Sequence, residues 1–127
     1  NKIISTVLRN IPYIIKDTSK NIEFLNSVNK YLEENYEDKI KLDDIANKCH
    51  FSKYYFAHKL KEMTGMTLVS YVTAYRLEKA AAMLKNTNVH ITEIALLCGF
   101  GNLRSFNRCF RTAYDMTPLK YRKSFKN

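Results

Sequence analysis

Arg104, Asn107, Arg108 and Arg111 stand three and four residues apart, a spacing that gathers them on one face of a helix. A guanidinium presents its N–H donors as a planar fork that matches guanine O6/N7 or a phosphate, and a carboxamide matches the N6/N7 edge of adenine. No Asp or Glu falls between Asn102 and Thr112, so this face lacks the mixed charges of an ordinary solvated helix. Fifty positions earlier, Tyr54, Ala57, His58 and Lys61 repeat the spacing. The chemistry offered is contact with base edges and phosphates of a polyanion. For His58 a plain surface histidine is the alternative, and both readings stay open.

These two faces belong to an internal repeat. Ile45, Ala46, Cys49 and Phe51 recur as Ile94, Ala95, Cys98 and Phe100 at an offset of 49. After one inserted residue the offset is 50, pairing Phe56 with Phe106, Leu60 with Phe110, Lys61 with Arg111, Met66 with Met116 and Thr67 with Thr117. Each copy reads as a short helix, a tight turn and a second helix. Gly99 supplies the turn in the second copy, where a positive φ suits glycine. The first copy has His50 there, a side chain that enters the left-handed region more readily than most. Ser52 and Asn102 are N-caps for the second helices. Gly65 ends the first of them, with Asp115 at the equivalent place in the other. Phe56, Leu60 and Met63, and likewise Phe106, Phe110 and Ala113, are expected to anchor these helices. Thr117 and Pro118 read as the N-cap and first residue of a short terminal helix.

The remaining periodicity is helical throughout. Ile22, Leu25, Val28 and Leu32 mark a first helix ending near Tyr36, and a short one follows around Leu42, Ile45 and Ala46. A long helix spans about Leu68 to Leu84, with Val69, Val72, Leu77, Ala80, Ala81 and Leu84 expected to pack. Ahead of these, Ile3, Ile4, Val7, Leu8 and Ile11 have helical spacing that stops at Pro12, and Lys16 to Asn21 reads as a linker. With only three Gly and two Pro in 127 residues, turns are too few for an all-β chain, and the expected class is all-α. The start at Asn1 reads as a cut from a longer polypeptide whose upstream part holds regulation.

Charge separates the two halves. Residues 1–52 are neutral overall, while the thirteen Lys and Arg beyond them face only Glu62, Glu78, Glu93 and Asp115, giving the net +9 and a pI near 9.5. Such a balance directs attention to polyanions. Cys49, Cys98 and Cys109 form no C-x-x-C pair, so neither a disulfide framework nor a metal site is expected, and the first two read as buried thiols. No carboxylate pair, nucleophile with base, or metal cluster stands at a catalytic spacing, so neither an enzyme nor a cofactor is expected. No apolar stretch approaches the ~20 residues of a membrane span, and no signal peptide is visible; a cytoplasmic protein is expected. A basic helical module for protein contact or an anionic membrane surface is the competing class. The duplicated faces argue against it.

The stretch IALLCGFGNLRSFNRCFRTAYDMTPLKY, residues 94–121, resembles the most distinctive part of the DNA-binding domain of AraC-type transcription regulators. IANKCHFSKYYFAHKLKEMTGMT, from Ile45 to Thr67, resembles its first unit, and YRLEKAAAMLKNTNVHITEIA, from Tyr75 to Ala95, is similar to its connecting helix. The resemblance covers about Ile22 to Ser124. It implies two helix-turn-helix subdomains, 22–67 and 85–127, joined by a long central helix, 68–84, after an upstream remnant and linker, 1–21. It further implies that recognition helices at about 53–63 and 103–113 enter two successive major grooves of double-stranded DNA. A 17-residue connector is ~25 Å long, against ~34 Å between grooves on one face of the duplex.

Carried over residue by residue, Tyr54, Ala57, His58, Leu103, Arg104, Asn107 and Arg108 would meet base edges. Ser52, Lys53, Lys61, Asn102 and Arg111 would meet phosphates. Ala57 and Leu103 depart from positions where many members have hydrogen-bonding side chains, so they offer only apolar contact to thymine methyls, and Leu103 reads equally as core. Lys41 and His90 replace the usual Ser or Thr caps of the leading helices. RNA polymerase is the expected protein partner, with a homodimer formed through the upstream region and no membrane.

Overall fold

The structure is a computed structural model that describes residues 18–126. Among these, seven helices follow one another with no strand: α1 (Thr18–Asn35), α2 (Leu42–Lys48), α3 (Lys53–Thr64), α4 (Leu68–Asn86), α5 (Ile91–Leu97), α6 (Leu103–Tyr114) and α7 (Pro118–Lys123). They divide into two compact units. The first takes α1, α2, α3 and the start of α4 as far as Val72; the second takes residues 36–39 and everything from Thr73. The division falls inside α4, whose 19 residues rise by about 28 Å.

In the first unit, Phe24, Leu25, Val28 and Leu32 of α1 are buried together with Ile45, Ala46, Cys49, Phe56, Leu60 and Met63. Phe24 bridges the turn and the second helix, its ring 5.5 Å from Phe51 and 5.3 Å from Phe56. Tyr71 is buried here too, its hydroxyl donating to Asn29 Oδ1 at 2.6 Å, which satisfies a polar atom at an apolar site. In the second unit, Leu77, Ala80, Ala81 and Leu84 of α4 pack with Ile94, Ala95, Cys98, Phe100, Phe106 and Phe110. Tyr114 stacks on Phe110 at 4.4 Å, and Tyr121 of α7 meets both rings edge-on.

The two turns are built alike. After α2, the His50 amide donates to the Asn47 carbonyl and that of Phe51 to Ala46; after α5, the Gly99 amide donates to Leu96 and that of Phe100 to Ala95. His50 has φ 64° and Gly99 φ 91°, so both residues sit where the repeat places a left-handed bend. At Gly99 a second constraint applies. A Cβ there would lie 2.5 Å from the Tyr36 carbonyl oxygen and 2.7 Å from Arg76 Nε. Arg76 itself donates to the carbonyls of Tyr36 at 2.8 Å and Asp38 at 2.7 Å, holding residues 36–39 against the second unit.

Four sequence expectations change. Thr18 to Asn21 are helical rather than linker, because Asn21, though polar, is buried and its Oδ1 accepts from Lys59 Nζ at 2.9 Å. Ile22 is exposed, and Phe24 takes the packed position beside it. Val69 is 76% exposed, with Tyr71 and Val72 turned inward instead. Ala113 is exposed, and Tyr114 replaces it as the anchor at the end of α6. The apolar segment from Ile3 to Ile11 and Pro12 lies outside the described residues.

Candidate nucleic-acid interface

The helices α3 and α6 are each fixed at both ends, by a side-chain cap at the start and a left-handed backbone cap at the finish. Ser52 Oγ accepts the Tyr55 amide at 3.2 Å and Asn102 Oδ1 accepts that of Ser105 at 2.8 Å, pairing first-turn donors that would otherwise face solvent. Gly65 at φ 73° and Asp115 at φ 57° end them in left-handed caps. The Thr117 hydroxyl accepts from the Lys120 amide with Pro118 at N1, so α7 begins as its sequence predicts. Lys41 and His90 make no side-chain cap, which leaves the starts of α2 and α5 without that bond.

With the ends fixed, rotation of each helix is set by its buried face. Phe56, Leu60 and Met63 lock α3, so Tyr54 is 78% exposed, His58 and Lys61 are exposed, and Ala57 is half-buried beside them. Phe106 and Phe110 lock α6, so Arg104, Asn107, Arg108 and Arg111 are all exposed on one face. Leu103 is partly buried against the second unit's core, which favours the core reading of that side chain.

The electrostatics of the two faces differ. On α3, His58 Nε2 lies 3.6 Å from Glu62, and Lys53 Nζ lies 4.0 Å from Asp43 and 5.4 Å from the Tyr54 ring centre. Any phosphate meeting Lys53 competes with Asp43. Among the described residues no carboxylate pairs with Arg104, Arg108 or Arg111, so their donors face solvent ready for a ligand. The α3 pair Glu62 is four residues from His58 and was open to sequence reading; Asp43 comes from another helix and was not.

Two of the three thiols, Cys49 and Cys98, are buried. Burial pushes the Cys98 thiol up to about 11, with Glu37 adding to the shift, and its Sγ lies 3.8 Å from Met83 Sδ. Burial raises Cys49 as well. Among the described residues no cluster of three or more His, Cys, Asp or Glu is placed to hold a metal, and no helix is long and apolar enough to cross a membrane.

Two capped helices, each held behind a tight turn by a shorter partner, make this a tandem helix-turn-helix protein. A family model described as a helix-turn-helix domain matches residues 45–124. The chain belongs to the AraC-type transcription regulators, a family of sequence-specific DNA-binding proteins. It is similar to the Transposon Tn10 TetD protein of Escherichia coli, 38% identical over 115 residues that make up 91% of this chain and 83% of that protein. An AraC-type transcriptional regulator from Chromobacterium violaceum superposes with a TM-score of 0.80 at 26% identity, over 86% of this chain and 97% of its own. The DNA-binding domain of AdpA, solved in complex with a target DNA, shares the fold with a TM-score of 0.73 at 20% identity, over 81% and 92% of the two chains.

Proposed function

We propose that α3 and α6 are the two recognition helices and that they enter successive major grooves of one operator. Arg104 and Arg108 read guanines and Asn107 an adenine. Tyr54, Ala57 and His58 supply a weaker reading face, with Ala57 limited to a thymine methyl. Ser52, Lys53, Lys61, Asn102 and Arg111 hold phosphates, and Leu103 adds at most an apolar edge. The observation that carries this reading is the α6 face: four exposed side chains suited to bases and phosphate, with no carboxylate among the described residues paired to any of its arginines. The first subdomain on this reading runs from Thr18, the central helix follows it, and residue 85 onward forms the second.

Regulation follows from position on a promoter, where the bound chain recruits or obstructs RNA polymerase. A second copy of the protein is the other proposed partner, in the cytoplasm. The experiment is fluorescence anisotropy of labelled duplexes over a range of salt, beside binding to anionic vesicles. Sequence preference over random duplex and a log-linear loss of affinity with salt support the reading. Lys61→Ala and Arg111→Ala should each weaken all duplexes alike and reduce the salt slope by about 1. Equal binding to all duplexes, or tighter binding to vesicles, contradicts it.

A further inference from the structure

We propose that the first unit carries a second ligand site beside the reading face, a groove that takes a free mononucleotide with its base against an aromatic wall and its phosphate among lysines. The groove has a volume of about 680 Å³ and lies between α1, the turn after α2 and α3. That is within the range of roughly 300–1,000 Å³ that small-molecule sites occupy.

Its wall is the Phe51 and Tyr55 pair, with ring centres 5.0 Å apart and planes 30° from parallel. Tyr55 is half exposed and lines the groove beside Phe51, and stacking of a base on such a ring tolerates any base. Lys59 is also part of the lining. Its ammonium donates to Asn21 and lies 5.7 Å from the Phe24 ring centre and 5.8 Å from that of Tyr55. Lys20, Lys30 and Lys48 add three more cations to the lining. A cation already held in place loses less freedom when it meets a phosphate than a free lysine does.

The lining also contains Glu23 and Glu34. Carboxylates oppose a bare phosphate, whereas they accept hydrogen bonds from ribose hydroxyls, so the set as a whole favours a nucleotide over an inorganic anion. Cys49 is part of the lining, and its burial keeps the thiol protonated, adding no negative charge against the phosphate.

The repeat argues that this groove is no by-product of the helix-turn-helix. At the equivalent positions of the second unit, Lys48 becomes Leu97, Tyr55 becomes Ser105 and Lys59 becomes Cys109, yet the turn and caps are the same. The turn and the caps therefore do not require these side chains, although Lys59 also satisfies the buried Asn21 of α1. On α3, Tyr55 and Lys59 are rotated by about 100° from Tyr54 and His58, so the groove borders the reading face without sharing its residues.

The test is a nitrogen-15 NMR titration of the whole chain with adenosine 5′-monophosphate, with adenosine and inorganic phosphate as separate arms. A double variant, Lys48→Leu with Tyr55→Ser, borrows the second unit's residues at exposed positions. Supporting results are saturable shifts confined to amides of α1, residues 48–51 and the Tyr55 to Lys59 turn of α3. Adenosine and phosphate should each bind at least tenfold more weakly than the nucleotide, and the variant should lose at least tenfold while its thermal unfolding is unchanged. Phosphate binding as well as the nucleotide, shifts centred on the α6 arginines, an unaffected variant, or displacement by duplex DNA would each overturn the site. Duplex affinity measured on the same samples reports separately on the DNA-reading helices.

Discussion

In the first unit the recognition helix turns Tyr54, His58 and Lys61 to solvent, and the His58 imidazole lies 3.6 Å from Glu62. In the second, no carboxylate among the described residues pairs with Arg104, Arg108 or Arg111. Behind these unlike faces the scaffolds coincide: an Ile-Ala pair, a buried cysteine, a left-handed turn residue, an aromatic under it, and a capped helix anchored at equivalent positions. The difference teaches that the duplicated fold is held by its buried face and its backbone terminations. The exposed faces differ between the copies while the buried faces match. The exposed face of α6 carries three arginines and no carboxylate, whereas that of α3 carries Glu62 beside its basic groups and borders a side groove.

Truncation of the matched anchors tests whether the scaffolds are equivalent. Phe56→Ala and Phe106→Ala each remove a fully buried ring and should each cost about 3 to 5 kcal/mol by denaturant unfolding. A small cost for one and a large cost for the other would break the equivalence. The turn, by contrast, should behave unequally. Gly99→Ala places a Cβ against the Tyr36 carbonyl at positive φ and should cost about 2 to 4 kcal/mol, whereas His50→Gly relieves a side chain at φ 64° and should be within about 0.5 kcal/mol of neutral. A Gly99→Ala loss of only about 1 kcal/mol, the size of the left-handed penalty by itself, would show that Gly99 is there for its φ alone.

Much of this arrangement is legible before any coordinates because it is local. The offset between copies, the caps Ser52 and Asn102, and the left-handed residues His50, Gly65, Gly99 and Asp115 all depend on neighbours within about five positions, and each stands where the repeat puts it. What the sequence hides depends on distant partners. Asn21 looks like linker until Lys59, 38 positions on, is seen to satisfy it. Tyr71 reads as less suited to a core than Val69, yet it is the buried one because Asn29 receives its hydroxyl. Ala113 fits the heptad spacing, but the flat face of Tyr114 stacks better on Phe110. The α6 reading face was visible because its four side chains lie on one helix. The groove was not, since α1, the turn and α3 each contribute only part of it.

DNA affinity should reflect the unequal faces. Arg104→Ala and Arg108→Ala are each expected to lose about 1 to 3 kcal/mol at the preferred site and to relax discrimination at one base pair. His58→Ala should lose less than either, because its imidazole is shared with Glu62 and exposed to solvent screening. Anisotropy titrations against matched and singly mismatched duplexes give both numbers. The smallest effects belong to the helix starts that lack a side-chain cap. Lys41→Ser and His90→Ser should each raise stability by about 0.5 to 1 kcal/mol, by the same amount in the two units, as read from thermal unfolding.

The most direct test is selection of bound sites from a random duplex pool, run in parallel with the chain and with a combined Arg104→Ala and Arg108→Ala variant. Two units reading DNA through α3 and α6 should enrich a site with two boxes about one helical turn apart, roughly 10 base pairs, and the variant should keep one box while the other becomes random. Recovery of the same two boxes by both proteins, or of no preferred sequence by the unaltered chain, would contradict the assignment of reading to these faces.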